Sequence, residues 1–204
     1  ADQSYKHNRQ EIDLSPLTGL VDVQRGLSML GLGWIELEHE EADDVIASLV
    51  ALDPQRPTYV LSTDRDYLQL VTEQVRMLNT AMRSGRRLLG PAEVFDRYGV
   101  HPWQWCDFRA LTGDPADSIT GVRGVGAKTA ARLLAGDVTL EALRDSDRLG
   151  GRVGQRIIDC WDQVLAWRDL IRLRDSVALP CHPTRMESEP LPAPAAVLEE
   201  LKLW

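Results

Sequence analysis

The sequence predicts an α/β fold, a parallel doubly wound sheet followed by an all-helical region. Three observations carry the prediction. Apolar, β-branched runs alternate with helical periodicity over the first part of the chain, as βαβ units require. Strand signals stop at Pro91, and later periodic segments read as helices. Acidic residues follow a predicted strand end, the side on which open α/β sheets gather their sites. The chain has 204 residues, 44% of them hydrophobic, enough for one domain or a domain with a subdomain. Disorder by composition is excluded.

Taken in order, residues 1–32 read as a polar entry and a helix. Ser15-Pro16 supplies its cap and first helical position, Leu20, Val23, Leu27 and Leu30 its apolar side, and Gly31 its stop. Residues 33–37 are a short strand candidate, and 41–52 form an amphipathic helix with Val45, Ile46, Leu49 and Val50 inward. Residues 58–63 read as a buried strand with Asp64-Arg65-Asp66 at its C-terminal end. A short helix over 67–71 and a strand over 75–79 follow. Helices are predicted at Pro91–Tyr98, Pro102–Thr112, Lys128–Leu134, Leu140–Arg144 and Val153–Leu173. Residues 180–194 are Pro-rich and extended, before a last helix ending at Trp204. The composition shift divides the chain into an α/β region, 1–89, and a helical region, 90–204.

A net charge of −8 argues against a protein that simply coats DNA, unless many acids surround bound cations. Cys106, Cys160 and Cys181 are odd in number and widely spaced, which reads as free thiols in a reducing compartment rather than a zinc site. The sequence has no signal-peptide pattern and no apolar run near the roughly 18 residues of a membrane span. A soluble, cytoplasmic protein is expected.

Three groups of carboxylates stand out. Glu41, Asp43 and Asp44 crowd the first turn of a helix, where the macrodipole by itself favours acids. Asp64 and Asp66 follow a strand, and Asp114 and Asp117 precede a glycine-rich turn. Brought together, seven carboxylates repel strongly, since unit charges at about 4 Å cost about 4 kcal/mol at an effective dielectric near 20. An acid cluster without His or Cys suits hard cations such as Mg²⁺ or Mn²⁺, and a pair of such ions suits phosphodiester hydrolysis.

The segment Gly121-Val122-Arg123-Gly124-Val125-Gly126-Ala-Lys128-Thr129 fails the P-loop pattern, because Ala127 separates the last glycine from Lys128. No strand precedes it, so a dinucleotide fold fails too. The better reading is a helix–hairpin–helix turn whose amides and Lys128 meet DNA phosphates without reading sequence. Arg83, Arg86 and Arg87 form a basic run that reads first as a solvated face and second as phosphate contacts. The tryptophans, among them Trp103, Trp105, Trp161 and Trp167, read mostly as core.

With Glu41-Ala-Asp-Asp44, Ser62-Thr-Asp-Arg-Asp66, Leu111-Thr-Gly-Asp-x-x-Asp117 and Gly121-Val-x-Gly-Val-Gly-x-Lys-Thr129 in order, the chain resembles the flap endonuclease/5′-nuclease family. The likeness runs from Tyr5 to about Asp175 and is nearest to bacterial 5′–3′ exonucleases and the nuclease domain of DNA polymerase I. It implies a PIN-like nuclease core and a helix–three-turn–helix over 111–134 that grips duplex DNA and often holds K⁺. It implies a first metal site at Glu41, Asp43, Asp44 and Asp64 and a second at Asp66, Asp114 and Asp117. Tyr5-Lys6-x-x-Arg9 resembles the start of the family's helical arch, with Lys6 and Arg9 stabilising charge on the scissile phosphate.

Two departures follow. The family begins with two strands that each carry a metal-binding Asp, and neither is in this sequence. The resemblance therefore implies about 80 further N-terminal residues in the full-length protein, and poor folding or inactivity of a chain starting at Ala1. Ser118 and Thr120 stand where the family usually has Asn and Pro.

The resemblance implies a monomeric, structure-specific 5′-nuclease using two Mg²⁺ or Mn²⁺ ions on DNA with 5′ flaps, nicks or overhangs, in replication and repair. The competing expectations are a non-catalytic DNA-junction binding module, suggested by the missing acids, and a hydrolase of small phosphate esters, for which the glycine turn has no use.

Overall fold

The computed structural model describes residues 18–180 and 192–202, which fall into two compact units, 43–180 and 18–42 with 192–202. The cap at Ser15-Pro16, the extended tail over 181–191 and the end at Trp204 lie outside the described residues.

In the smaller unit, helix α1 (Leu20–Met29) packs on the C-terminal helix Pro194–Glu200. The approach is close at Gly26, where a Cβ would stand 3.0 Å from the Leu201 side chain. Gly31, at φ 69°, follows the helix end in the left-handed region open to glycine. Residues 33–37 form no strand, correcting the expectation. Gly33, Leu32 and Trp34 are exposed there, so the apolar letters answer to no pleated surface.

The larger unit opens with α2 (Ala42–Ala51), then β1 (Thr58–Leu61), a 3-10 helix (Arg65–Leu70), β2 (Val75–Leu78) and β3 (Leu88–Leu89). β1 and β2 pair in parallel, Thr58 opposite Val75 and Leu61 opposite Leu78. β3 runs antiparallel to β2, with Met77 opposite Leu89. The described sheet is thus mixed, in the order β1-β2-β3. An antiparallel edge on an otherwise parallel sheet is common in doubly wound folds. β1 is not buried on both faces as expected: Val60 is covered, whereas Tyr59 and Leu61 are 64% and 68% exposed. An apolar run does not reveal which of its alternating faces is covered.

The helical part surrounds α4. Helix α3 (Pro91–Tyr98) begins with Pro91 after Gly90, whose amide donates to Glu93 Oε2 at 2.8 Å, and it ends at Gly99 with φ 71°. A single 3-10 turn, Pro102–Gln104, leads into α4 (Trp105–Thr112), where one continuous helix was expected. Gln104 is buried yet satisfied: its amide donates to the Leu134 and Val138 carbonyls, and its Oε1 accepts from the His101 amide. Trp105, Phe108, Ala110 and Leu111 are fully buried, so α4 is the central pillar. Around it stand α5 (Ala127–Leu133), α6 (Leu140–Arg144), α7 (Gly151–Asp159) and α8 (Trp161–Ile171). Asp107 of α4 caps α6 from outside, accepting from the Leu140 amide at 3.0 Å.

The single helix expected over 153–173 is two helices broken at Cys160, with φ −114° and ψ 25°. Ile157, Trp161 and Val164 are buried on both sides of the break. Their helical spacing continues across it, which is why periodicity conceals it. The last helix, α9 (Pro194–Glu200), stops at Glu200 rather than running on.

Candidate active site

The 3-10 helix Arg65–Leu70 and the turn after α4 build the site. Asp64 caps the 3-10 helix, its Oδ1 accepting from the Asp66 amide at 3.0 Å, while its own amide donates to Ser62 Oγ. That Asx turn projects Asp66 toward the second turn. There, Asp114 Oδ1 accepts from the Ala116 amide at 3.0 Å, and Asp114 and Ile119 exchange backbone hydrogen bonds of 2.7 and 2.8 Å. Ser118, at φ 61°, closes the loop.

These turns bring carboxylate oxygens of Asp66, Asp114 and Asp117 within 4.8 Å of one another. Asp66 Oδ1 is buried and has no hydrogen-bond partner. Burial, followed by the charges of Asp64, Asp114 and Asp117, pushes the Asp66 carboxyl up to about 7, against a lowering by Arg109. An all-oxygen donor set with an orphaned buried oxygen fits a hard divalent cation, which removes both the repulsion and the orphan.

The other four acids stand differently. Asp44 is buried and engaged with Arg174: Oδ1 accepts from the Arg174 amide at 2.8 Å, and Oδ2 from its Nε at 2.7 Å. Asp43 Oδ1 accepts from the Asp44 amide. Asp64 is exposed. Among the described residues, only the Asp66 group has three acids at ligand spacing. Glu41 is exposed, one residue before α2, and belongs to the smaller unit. Asp43, Asp44, Asp64 and Asp66 do converge electrostatically on Tyr67, whose buried hydroxyl is pushed up to about 12 by burial and then by these charges.

The glycine turn begins with two backbones in contact. Gly113 and Gly121 have φ 86° and 64°, and a Cβ on Gly121 would stand 2.3 Å from the Gly113 nitrogen. Only glycine fits both the conformation and the approach. Val122 and Val125 anchor the turn in the core, leaving Arg123, Gly124, Gly126, Ala127 and Lys128 exposed, with Thr129 half-buried. Gly126 caps α5 without a side-chain bond, and Lys128 is exposed in the first turn of that helix. Arg156 braces the turn from α7, its Nη1 donating to the Arg123 carbonyl at 3.1 Å. Tyr5, Lys6 and Arg9 lie outside the described residues.

Sequence reasoning missed Arg109, Arg174 and Tyr67. Arg109 forms an ion pair with Asp114, both side chains nearly buried. Its position in α4, five residues before Asp114, was a usable signal. Arg174 pairs with an acid 130 residues away, for which no local pattern exists. Tyr67 directly follows Asp66.

Fold and site together define a class: an α/β sheet bearing an acid cluster, joined to a helical module with a glycine turn. Two family models match the chain. The 5′-3′ exonuclease N-terminal resolvase-like domain matches residues 1–99, and the 5′-3′ exonuclease C-terminal SAM fold matches residues 100–193. The chain belongs to the 5′-3′ exonuclease family. It is 38% identical over 158 residues to a thermostable DNA polymerase I of Thermus aquaticus, covering 75% of this chain and 18% of the relative. With DNA polymerase I of Mycobacterium tuberculosis it shares 36% over 194 residues, covering 91% of this chain and 21% of the relative. The chain thus spans about a fifth of the length of these relatives. In fold it is similar to T5 5′-exonuclease with bound zinc ions, at a TM-score of 0.68 and 21% identity, covering 84% of this chain and 68% of that one. T5 flap endonuclease in a pseudo-enzyme-product complex with DNA and metal ions superposes at 0.67 and 21% identity, covering 84% and 67%.

Proposed function

We propose that this chain is the nuclease part of a metal-dependent 5′-3′ exonuclease or flap endonuclease that hydrolyses DNA phosphodiesters in replication and repair. The observation that carries the reading is the cluster of Asp66, Asp114 and Asp117, with its orphaned buried oxygen, two of whose members lie directly before the glycine turn in the chain. The relatives' descriptions as DNA polymerase I support it, as does the T5 enzyme's structure with DNA and metal ions.

Asp66, Asp114 and Asp117 would hold one divalent ion, Mg²⁺ or Mn²⁺, and Glu41, Asp43, Asp44 and Asp64 would serve a second. Bound there, the ions supply positive charge against the phosphodiester oxygens. Lys6 and Arg9 stabilise charge on the scissile phosphate. Gly121, Val122, Arg123, Gly124, Val125, Gly126, Lys128 and Thr129 form a phosphate grip, with K⁺ as its companion ion and Tyr5 as a further DNA contact. The grip holds backbone shape rather than sequence, which suits DNA carrying 5′ flaps, nicks or overhangs. The α/β region 1–89 provides the acids from Glu41 to Asp66, and the helical region 90–204 provides Asp114, Asp117 and the grip. No described helix is long and apolar enough to cross a membrane, and a cytoplasmic monomer suits the reading.

The test is incubation of the full-length protein with end-labelled 5′-flapped, nicked and blunt duplexes in Mg²⁺, Mn²⁺ or EDTA at low salt. Cleavage near the 5′ junction with either ion and none in EDTA is expected. Binding without product under both metals overturns the catalytic reading.

A further inference from the structure

A cavity of about 150 Å³ opens on the 3-10 helix Arg65–Leu70 between β2, the β2–β3 loop and α3. Leu68 and Met77 line its apolar side, and Arg65, Arg97, Asn79 and Tyr98 its polar side. Arg65 stands in the chain between Asp64 and Asp66, so the cavity and the acid cluster share one turn.

Charge in the cavity is unbalanced. Arg97 Nη1 donates to Met82 Sδ at 3.0 Å, and Arg87 Nε donates to the Met82 carbonyl at 2.8 Å. A thioether is a weak acceptor and a carbonyl carries no net charge. Among the described residues no carboxylate pairs with Arg65, Arg87 or Arg97, while Arg109, Arg168 and Arg174 all have acid partners. Two cations, Arg87 and Arg97, are drawn to one methionine and a third, Arg65, lines the same cavity, and like charges so placed repel unless an anion joins them. Asn79 Oδ1 is held by the Ala81 amide at 3.1 Å, leaving the side-chain NH₂ as a donor. Tyr98 is fixed edge-on to Trp105, with ring centroids 4.8 Å apart. The volume equals about five water shares at roughly 30 Å³ each, room for a phosphoryl group. Guanidinium forks match that group's oxygens.

We propose, resting on the nuclease reading for the owner of the phosphate, that this cavity is a second phosphate seat, taking a phosphoryl group of the nucleic-acid strand other than the one being cut. Arg65 and Arg97 pair with its oxygens, and Asn79 and Tyr98 supply neutral donors. The group is a 5′-terminal monoester or an internal diester, which share this chemistry.

The test has two arms on the full chain. In the first, side-chain Nε–Hε NMR signals are followed during titration with inorganic phosphate. Saturable shifts of Arg65 and Arg97 are expected in the parent, and the Arg65 shift is expected to be lost in Arg97→Gln and retained in Arg97→Lys. In the second, fluorescence anisotropy in EDTA measures binding of flapped duplexes with a 5′-phosphate or a 5′-hydroxyl. Arg97→Gln is expected to weaken binding roughly tenfold and to lower the salt slope by about 0.9. A loss confined to the phosphorylated duplex assigns the terminal monoester, and an equal loss on both assigns an internal diester. Absent shifts with unchanged DNA binding overturn the phosphate seat even if the chain binds and cuts DNA. Shifts in a chain that binds no DNA overturn the nuclease reading and leave the anion site standing. Arg97 is exposed, and Arg65→Gln is a second variant should Arg97→Gln melt early.

Discussion

The two acid groups differ in what balances their charge. Asp44 has a guanidinium and a backbone amide on its two oxygens, and its burial is fully compensated. Asp66 has an orphaned oxygen, three acid neighbours and only a partial offset from Arg109, which is itself paired with Asp114. A protein that only needed to fold would have no use for the second arrangement, because a buried unpaired carboxylate is costly. The contrast separates an acid held for structure in this state from one kept ready for a cation.

The sharpest way to break the contrast is Asp66→Asn. Metal-dependent cleavage is expected to fall by at least about 100-fold, while the metal-free chain melts several degrees higher because the uncompensated charge is gone. A loss of both activity and melting temperature would place Asp66 with the structural acids. Gly121→Ala strikes the same group without touching a carboxylate. The new Cβ meets backbone at 2.3 Å, so a destabilisation on the order of 3 kcal/mol or more is expected in denaturant unfolding. Gly126→Ala, which meets nothing within 4 Å, is the control and should cost only about 0.5–1 kcal/mol from the poorer N-cap.

A pH series in EDTA reads the difference directly. The folded carboxyl of Asp66 titrates at about 7, above its ordinary value, so its contribution is fully present at low pH and is lost as pH rises through about 7. The metal-free chain should therefore lose about 1–3 kcal/mol between pH 5 and 8, and Asp66→Asn should flatten that slope. Mg²⁺ should restore the lost stability in the parent only. A modest effect is expected at Asp44→Ala, a destabilisation of about 1–2 kcal/mol from the freed Arg174 amide, the guanidinium being half-exposed. Chemical denaturation without metal measures it.

Local chemistry made much of this readable in advance. Pro91 after Gly90 marked a helix at its observed limits, because caps act within one turn. The acid pairs and the glycine turn stood out because their residues are close in sequence, whereas the grouping of Asp66 with Asp114 and Asp117 came only with the family resemblance. What stayed hidden depends on distance or on shortness. β3 has two residues and no period to detect. The pairing of Arg174 with Asp44 spans 130 positions. The cavity around Arg65 and Arg97 joins a turn, a loop and a helix, and only the basic run at Arg83, Arg86 and Arg87 hinted at it. The break at Cys160 was masked by an apolar pattern that both helices share.

The contact of Gly113 with Gly121 has a mechanical consequence. Two main-chain segments that touch without side chains between them cannot slide or open without losing the Val122 amide's bond to the Leu111 carbonyl, 2.9 Å long. The loop carrying Asp114 and Asp117 is thereby clamped at its neck, like the fixed jaw of a vice. On the proposed nuclease reading, a turn seated on a duplex would bring the acids to a set offset along it, and the length of the released fragment would be a property of this neck rather than of the nucleotide sequence.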